Sequence, residues 1–381
     1  MSAQIQAERA GLRAAAIVLL GLALPCCVVG AEKSIAANPP APARTDKAST
    51  AGNPRTKAEV DALIQKAGQT QPDWFDGVTA NYPQTLDLTW GDPRGRNAQK
   101  DLKEFIWSVI NPNPARWKDG TKLLHQVLNI NKADPEKLKR TMNALGECYH
   151  NFFADYARAA FWLRKAETNN ELLADCYFRL GNKDMAKEVL DKYGYDDTRQ
   201  GGVIKLWADI GEMDMALKMA DGKAQNTPDA AYFVAGDCLK LAGRYKEAVD
   251  YYEKVLKVVA KDTQTAPGRL KWNQDQARAS IDAIKLFELL DLKKIPDGKY
   301  SGTSMGYSGT VTVEVTTKAA KIESVKVTQQ TEHQCYASLT VIPEKIIAKQ
   351  SVKSVDTYSS ATVTSNAIIN ASAKALSTGV K

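Results

Sequence analysis

The sequence predicts an α+β protein: an N-terminal all-α helical repeat array followed by a small α+β domain with an antiparallel sheet. Three observations carry this. Between residues 142 and 292 one pattern of small residues returns at helix–turn–helix spacing. At Pro296 the composition changes: no tryptophan occurs beyond it, and β-branched residues begin to alternate with polar ones. Near the C-terminus, Asp356-Thr357-Tyr358-Ser359-Ser360-Ala361-Thr362-Val363-Thr364-Ser365 crowds hydroxyl side chains into one turn, directly ahead of an alanine-rich apolar helix from Asn366 to Leu376.

The first residues are read as a targeting segment. Arg9 and Arg13 precede an unbroken apolar run, Ala14 to Leu24, and Val29-Gly30-Ala31 offers the small residues a signal peptidase needs. Residues 1–31 are therefore expected to be a signal peptide cleaved after Ala31, and the mature protein to be exported, periplasmic or otherwise extracytoplasmic. The run is short for a membrane span. Cys26-Cys27 keeps a lipidated N-terminus open, as does a retained anchor. Residues 32–56 are rich in Ala, Pro, Ser and Thr with no apolar period, which reads as a disordered linker. The net charge of +7 is spread along the chain. No basic stripe with interleaved aromatics occurs, so nucleic acid is not an expected partner.

Residues 57–141 read as a helical capping region. Val60, Leu63, Ile64 and Ala67 set helical spacing over Lys57 to Gly68. The Trp- and Pro-rich stretch Pro72 to Asn97 is irregular and is expected to pack as a cap over the helices beyond it. Asp101 to Ile110 and Ala115 to Asn131 are two further helices, the second started by Pro114. In residues 142–292, Ala159, Ala186, Ala216 and Ala248 recur 27, 30 and 32 residues apart. They are small because paired helices cross closely there. Gly181, Gly211 and Gly243 fall in the turns, where a positive φ is needed. Over Met142 to Lys261 this skeleton resembles the tetratricopeptide repeat family. The resemblance implies a superhelical stack whose concave face binds peptides, with a plain helical scaffold as the alternative. Cys148, Cys176 and Cys238 stand ten or eleven residues before three of the alanines, at one buried position too far apart between repeats for a bridge. No CxxC occurs, so no haem, zinc or iron–sulfur site is expected. His125 and His150 are isolated and read as packed or surface side chains rather than ligands. Lys271 to Leu292 is the closing helix, and Lys293 to Pro296 the hinge.

In residues 297–381, Tyr300 to Thr303 is a short strand, Thr310 to Thr316 a period-two strand, and Ile322 to Val327 its hairpin partner across Lys318-Ala319-Ala320-Lys321. Gly306-Tyr307-Ser308-Gly309 is a tight turn. Pro343 to Gln350 is expected to be a helix started by its proline, with Ser338, Leu339 and Thr340 in the loop before it. His333 and Cys335 share that loop, but two ligands do not make a metal site. The hydroxyl turn ahead of the last helix can hold a phosphate, or be an ordinary Ser/Thr cap.

DGKYSGTSMGYSGTVTVEVTTKAAKIESVKV at the start of this domain and VDTYSSATVTSNAIINASAKAL at its end resemble the FMN-binding domain of exported and membrane-bound redox proteins, over Asp297 to Leu376. The resemblance implies an FMN cofactor whose phosphate a dedicated flavin transferase joins to Thr362 as a phosphoester. Ala361 precedes that threonine and Thr364 stands two residues after it. Asp356 matches the family's acid and Ser359 its first hydroxyl. Ser360 departs from the pattern, standing where the family usually has glycine. Gly306, Tyr307 and Gly309 lie where the family's flavin ring is flanked, and Ser338 and Leu339 in the segment that lines it. No acid–base set for substrate activation accompanies these residues, so the chain reads as an electron carrier or subunit of a redox complex rather than a stand-alone enzyme. The implied partners are the flavin transferase and a redox protein docked through the repeats, with a membrane-associated complex left open. The alternative is a repeat-based protein-binding scaffold whose FMN-binding domain is degenerate and flavin-free.

Overall fold

The computed structural model describes residues 54–91, 95–192, 201–332, 337–358 and 361–380. The expected signal peptide and nearly all of the linker lie outside them. Helix α1 (Lys57–Gln69) opens with a reciprocal cap: Glu59 N–H donates to the Thr56 hydroxyl, and the Glu59 carboxylate accepts from Thr56 N–H at 2.7 Å. The Trp- and Pro-rich stretch forms no helix among its described residues, and its aromatic rings turn inward. Trp74 stacks on Phe153, Phe75 meets the edge of His125, and buried Trp90 donates its indole N–H to Thr141 at 2.7 Å. The helix expected over 101–110 changes character half-way. Helix α2 (Leu102–Phe105) widens into a π-turn at Ile106–Ile110, where Asn111 N–H bonds five residues back to Ile106. Helix α3 (Trp117–Ile130) comes after a 3₁₀ turn begun by Pro114.

Next come four helix pairs: α4 (Pro135–Phe153) with α5 (Tyr156–Lys165), α6 (Glu171–Arg179) with α7 (Lys183–Leu190), α8 (Gly201–Asp209) with α9 (Met213–Ala224), and α10 (Pro228–Leu241) with α11 (Tyr245–Lys257). Helix α12 (Pro267–Leu289) closes the array. The four repeat alanines are completely buried. The crossings they permit are close: a Cβ on Gly236 would stand 2.7 Å from the Tyr252 ring. Gly181, Gly211 and Gly243 have φ of 94°, 99° and 76°; in the first pair Ala154 takes the left-handed turn at 52°. Cys148, Cys176 and Cys238 are buried and free, and burial raises their thiols.

The C-terminal sheet is three-stranded, antiparallel and in chain order: β1 (Gly298–Met305), β2 (Thr310–Lys318), β3 (Lys321–Gln329). Val311, Val313, Val315 and Thr317 alternate inward along β2. Two expectations need correction. Helix α13 (Ser338–Lys349) begins five residues before Pro343, which therefore sits inside the helix. Being near the start, its missing N–H deprives only the Leu339 carbonyl of a partner, and the helix tolerates it. Helix α14 (Thr362–Ser377) begins at Thr362 rather than Asn366, so the last four residues of the hydroxyl turn are already helical.

Helix α14 is buried on nearly every side. It lies between the sheet, through β1 and β2, and the array, through α12. This explains its alanine and serine content, since small side chains let backbone approach on both faces. The approach is closest at Gly302 of β1, where a Cβ would overlap the backbone of Ala371 and Ala375. The described parts of array and C-terminal domain fall in one compact unit. None of the described helices is long and apolar enough to cross a membrane.

Candidate functional site

The hydroxyl turn singled out in the sequence leads into the start of α14. Thr362 is its first residue and half-buried. Ala361 precedes it with φ −132°, and among the described residues no side chain caps the first-turn N–H groups. The Ser365 hydroxyl works the other way: it donates to Ala361 C=O at 2.8 Å and accepts from Tyr358 N–H at 3.0 Å. Ser359 and Ser360 lie outside the described residues, as do His333 and Cys335.

One carboxylate ties this helix end to the Gly306–Gly309 turn. Glu332, 3% exposed, accepts from Ser308 N–H at 3.0 Å and from the Thr364 hydroxyl. The turn closes through Gly306 N–H to Gly309 C=O at 2.6 Å. Its glycines have a reason within the protein. A Cβ on Gly306 would overlap Glu332, and one on Gly309 would overlap Thr331. Neither has a positive φ, so what requires glycine is space. Tyr307 projects from the turn, 44% exposed. Gln276 of α12, itself buried, donates to Gly306 C=O at 2.8 Å and fixes the turn against the array. Ser338 and Leu339 sit in the first turn of α13, both buried, not in a loop.

Asp356 points away from the turn and into the array. Its carboxylate accepts from Arg179 Nη1 at 2.6 Å and Lys345 Nζ at 2.8 Å, with Lys205 Nζ at 3.4 Å. Arg179 in turn bonds Asp175 at 3.2 Å, Asp175 bonds His150 Nε2 at 2.8 Å, and Lys205 pairs with Asp209. Burial alone would raise the Asp356 carboxyl, but Arg179, Lys205 and Lys345 outweigh it and hold it well below the usual range. Burial would likewise lower the Lys205 ammonium, and Asp209 and Asp356 raise it instead. Two residues on, buried Tyr358 donates its hydroxyl to His150 C=O at 2.5 Å. The first helices of successive pairs (α4, α6 and α8) thus grip the segment that leads into Thr362.

Residues 306–377 match the FMN-binding domain family. Residues 168–193 and 229–259 match the tetratricopeptide repeat. The chain therefore carries an FMN-binding domain at residues 306–377 and tetratricopeptide repeats within residues 168–259. No curated protein and no solved structure matches it. The residues present fit FMN: an uncapped helix start beside a half-buried threonine suits the phosphate, and an exposed tyrosine on a glycine-bounded turn suits the ring. Among the described residues no cluster of His, Cys, Asp and Glu could hold a metal.

Glu332, Gln276, Arg179, Lys205, Lys345 and Tyr358 were not anticipated from the sequence. One signal was present. An acidic residue immediately precedes each buried repeat cysteine: Glu147, Asp175 and Asp237. Acids at repeat spacing beside buried positions call for buried cations. Arg179 and Lys240 stand within one turn of two of them, and Lys205 takes the cysteine's place in α8, eleven residues before Ala216.

Proposed function

We propose that this protein is an exported flavin carrier that shuttles electrons for a redox partner, with FMN joined by its phosphate to Thr362. The observation that carries the reading is the uncapped start of α14 at Thr362, inside a segment that matches the FMN-binding domain. In the attachment step, Thr362 Oγ1 forms the new P–O bond to the FMN phosphate of FAD. The bond to the adenylate phosphate breaks and AMP leaves. The threonine proton goes to a base supplied by the flavin transferase, because a threonine hydroxyl is a poor nucleophile on its own. The resulting phosphodiester keeps one negative charge at the positive end of α14. A covalent tether suits a compartment where dissociated cofactor is lost.

Once bound, FMN supplies one- and two-electron transfer. This chain's residues do the holding. Glu332 keeps the Tyr307 turn against the helix start, and Gln276 keeps it against α12. Asp356 and Tyr358 anchor the attachment segment to the array, so that its backbone is pre-set. Because the inner helices of the array are engaged by the protein's own C-terminal domain, the redox partner docks on the array's remaining surface. The test is intact mass and in-gel fluorescence of the chain co-produced with an active flavin transferase. The mass gains one FMN less water and the denatured band fluoresces, and Thr362→Ala abolishes both. A wild-type chain that stays at its apo mass, or an alanine variant that still fluoresces, refutes the assignment.

A further inference from the structure

The repeat array meets the Tyr307 turn through α12. On α12, Trp272 and Arg269 lie one turn apart. The Trp272 ring meets Tyr307 at 5.6 Å and 75°, and the Arg269 guanidinium lies 3.7 Å from the Trp272 centroid and 5.3 Å from that of Tyr307. Trp272 is half-buried, while Arg269 and Tyr307 are exposed. Met305, 38% exposed, lies two residues before Tyr307. Arg269 covers one face of Trp272, and with the exposed Tyr307 ring beside it the layered group offers a stacking surface for a planar, electron-poor ring. The cluster is held in register by a buried bond, because Gln276, one turn further along α12, grips the carbonyl of Gly306. It is also within reach of the attachment point. Glu332 bridges the backbone beside Tyr307 to the first turn of α14, accepting from Ser308 N–H and from the Thr364 hydroxyl.

We infer that the flavin site is composite: Trp272 and Arg269 of the repeat array, with Tyr307, form the wall against which the isoalloxazine ring of FMN stacks. The inference rests on the FMN reading and adds residues from outside the matched segment 306–377. It makes the last helix of the array part of the cofactor site rather than a spacer, and gives a reason for the fusion of the two domains. Truncating the array at α11 would leave the ring with Tyr307 alone.

Contact with an indole quenches flavin fluorescence by electron transfer from tryptophan to the excited ring, so the test is optical. The full chain is loaded with FMN by co-production with a flavin transferase, and flavin content is fixed from the absorbance of the denatured protein. Native wild-type protein is dim and brightens several-fold on denaturation. Trp272→Leu, at equal flavin content and with an unchanged melting temperature, is several-fold brighter in the native state, and its visible bands move toward those of free FMN. Trp272→Phe recovers the band positions but not the quenching. Arg269→Gln, at an exposed position and compared at an unchanged melting temperature, shifts the bands in the same direction by less. If Trp272→Leu and Arg269→Gln both match wild type in native fluorescence and spectrum while carrying equal flavin, the composite site is wrong and the FMN reading stands. If wild type carries no flavin at all, the FMN reading fails and the composite site with it.

Discussion

His125 shows how a packed side chain becomes a pH sensor without being a ligand. Its Nε2 is 2.8 Å from the Tyr149 hydroxyl, and Phe75 and Trp162 meet it edge-on. Burial lowers its pKa to about 4, and the nearby charges of Arg158 and Lys122 act in the same direction. The folded state therefore holds a neutral imidazole where the unfolded chain binds a proton below about 6.5. Between these values the unfolded state carries more protons, so stability falls as pH drops from about 6.5 to about 4, by on the order of 2–3 kcal/mol in total. Urea midpoints across that range should show the slope, and His125→Gln should flatten it; an equal slope in both proteins would place the titration elsewhere. The sequence left this histidine as either packed or on the surface, and the structure packs it. The sequence could not foretell the shift, which comes from rings contributed by residues 75 and 162.

Helix α14 and its neighbours show what periodicity can and cannot reach. The alternation of Val311, Val313 and Val315 made β2 legible, and the alanines of residues 367–375 made a buried helix legible. The start of α14 was misplaced because Thr and Ser runs read as turns when local propensity alone is weighed. Tertiary packing against β1 and α12 extends the helix back to Thr362. The beginning of α13 was misplaced for the opposite reason, since proline marks a helix start by preference and not by necessity. Close packing of β1 on α14 leads to a sharp expectation at Gly302. Gly302→Ala puts a methyl group into the backbone of Ala371 and Ala375, and should lower stability by about 2–3 kcal/mol as an overpacking change. Because α14 carries Thr362, the same variant should reduce flavin loading. Denaturant titration and flavin content measured together would show whether the two losses move in step; unchanged stability would mean that the strand shifts freely.

The union of array and C-terminal domain was the least legible feature. Hydrogen bonds between Arg179 and Asp356 or between His150 and Tyr358 join residues 177 and 208 positions apart, and nothing local announces such a pairing. Repeats and C-terminal domain could each be read from their own spacing, but the interface could not. Removing one member of a buried ion cluster leaves its partners charged and unsolvated. Arg179→Met should thus cost about 3–5 kcal/mol. In a double-mutant cycle, adding Asp356→Asn should cost less than it does alone, with a coupling of about 0.5–3 kcal/mol; additive losses would mean that the two residues do not act together. Asp356 is held well below the usual carboxylate value of 3.8. Its contribution is present above that value and is lost as pH falls through the folded one, so acid should loosen the attachment segment from the array.

The grip on Asp356 also bears on the order of events during synthesis. When the ribosome has completed the array, Arg179 and Lys205 are in place while the carboxylate that joins them is still to be made. Until residue 356 joins them, the array holds these two cations against its own Asp175 and Asp209 alone, and the third carboxylate of the cluster is missing. Chains cut short of that residue are therefore expected to be degraded faster than chains that carry it, with Asp356 acting as the latch between array and C-terminal domain.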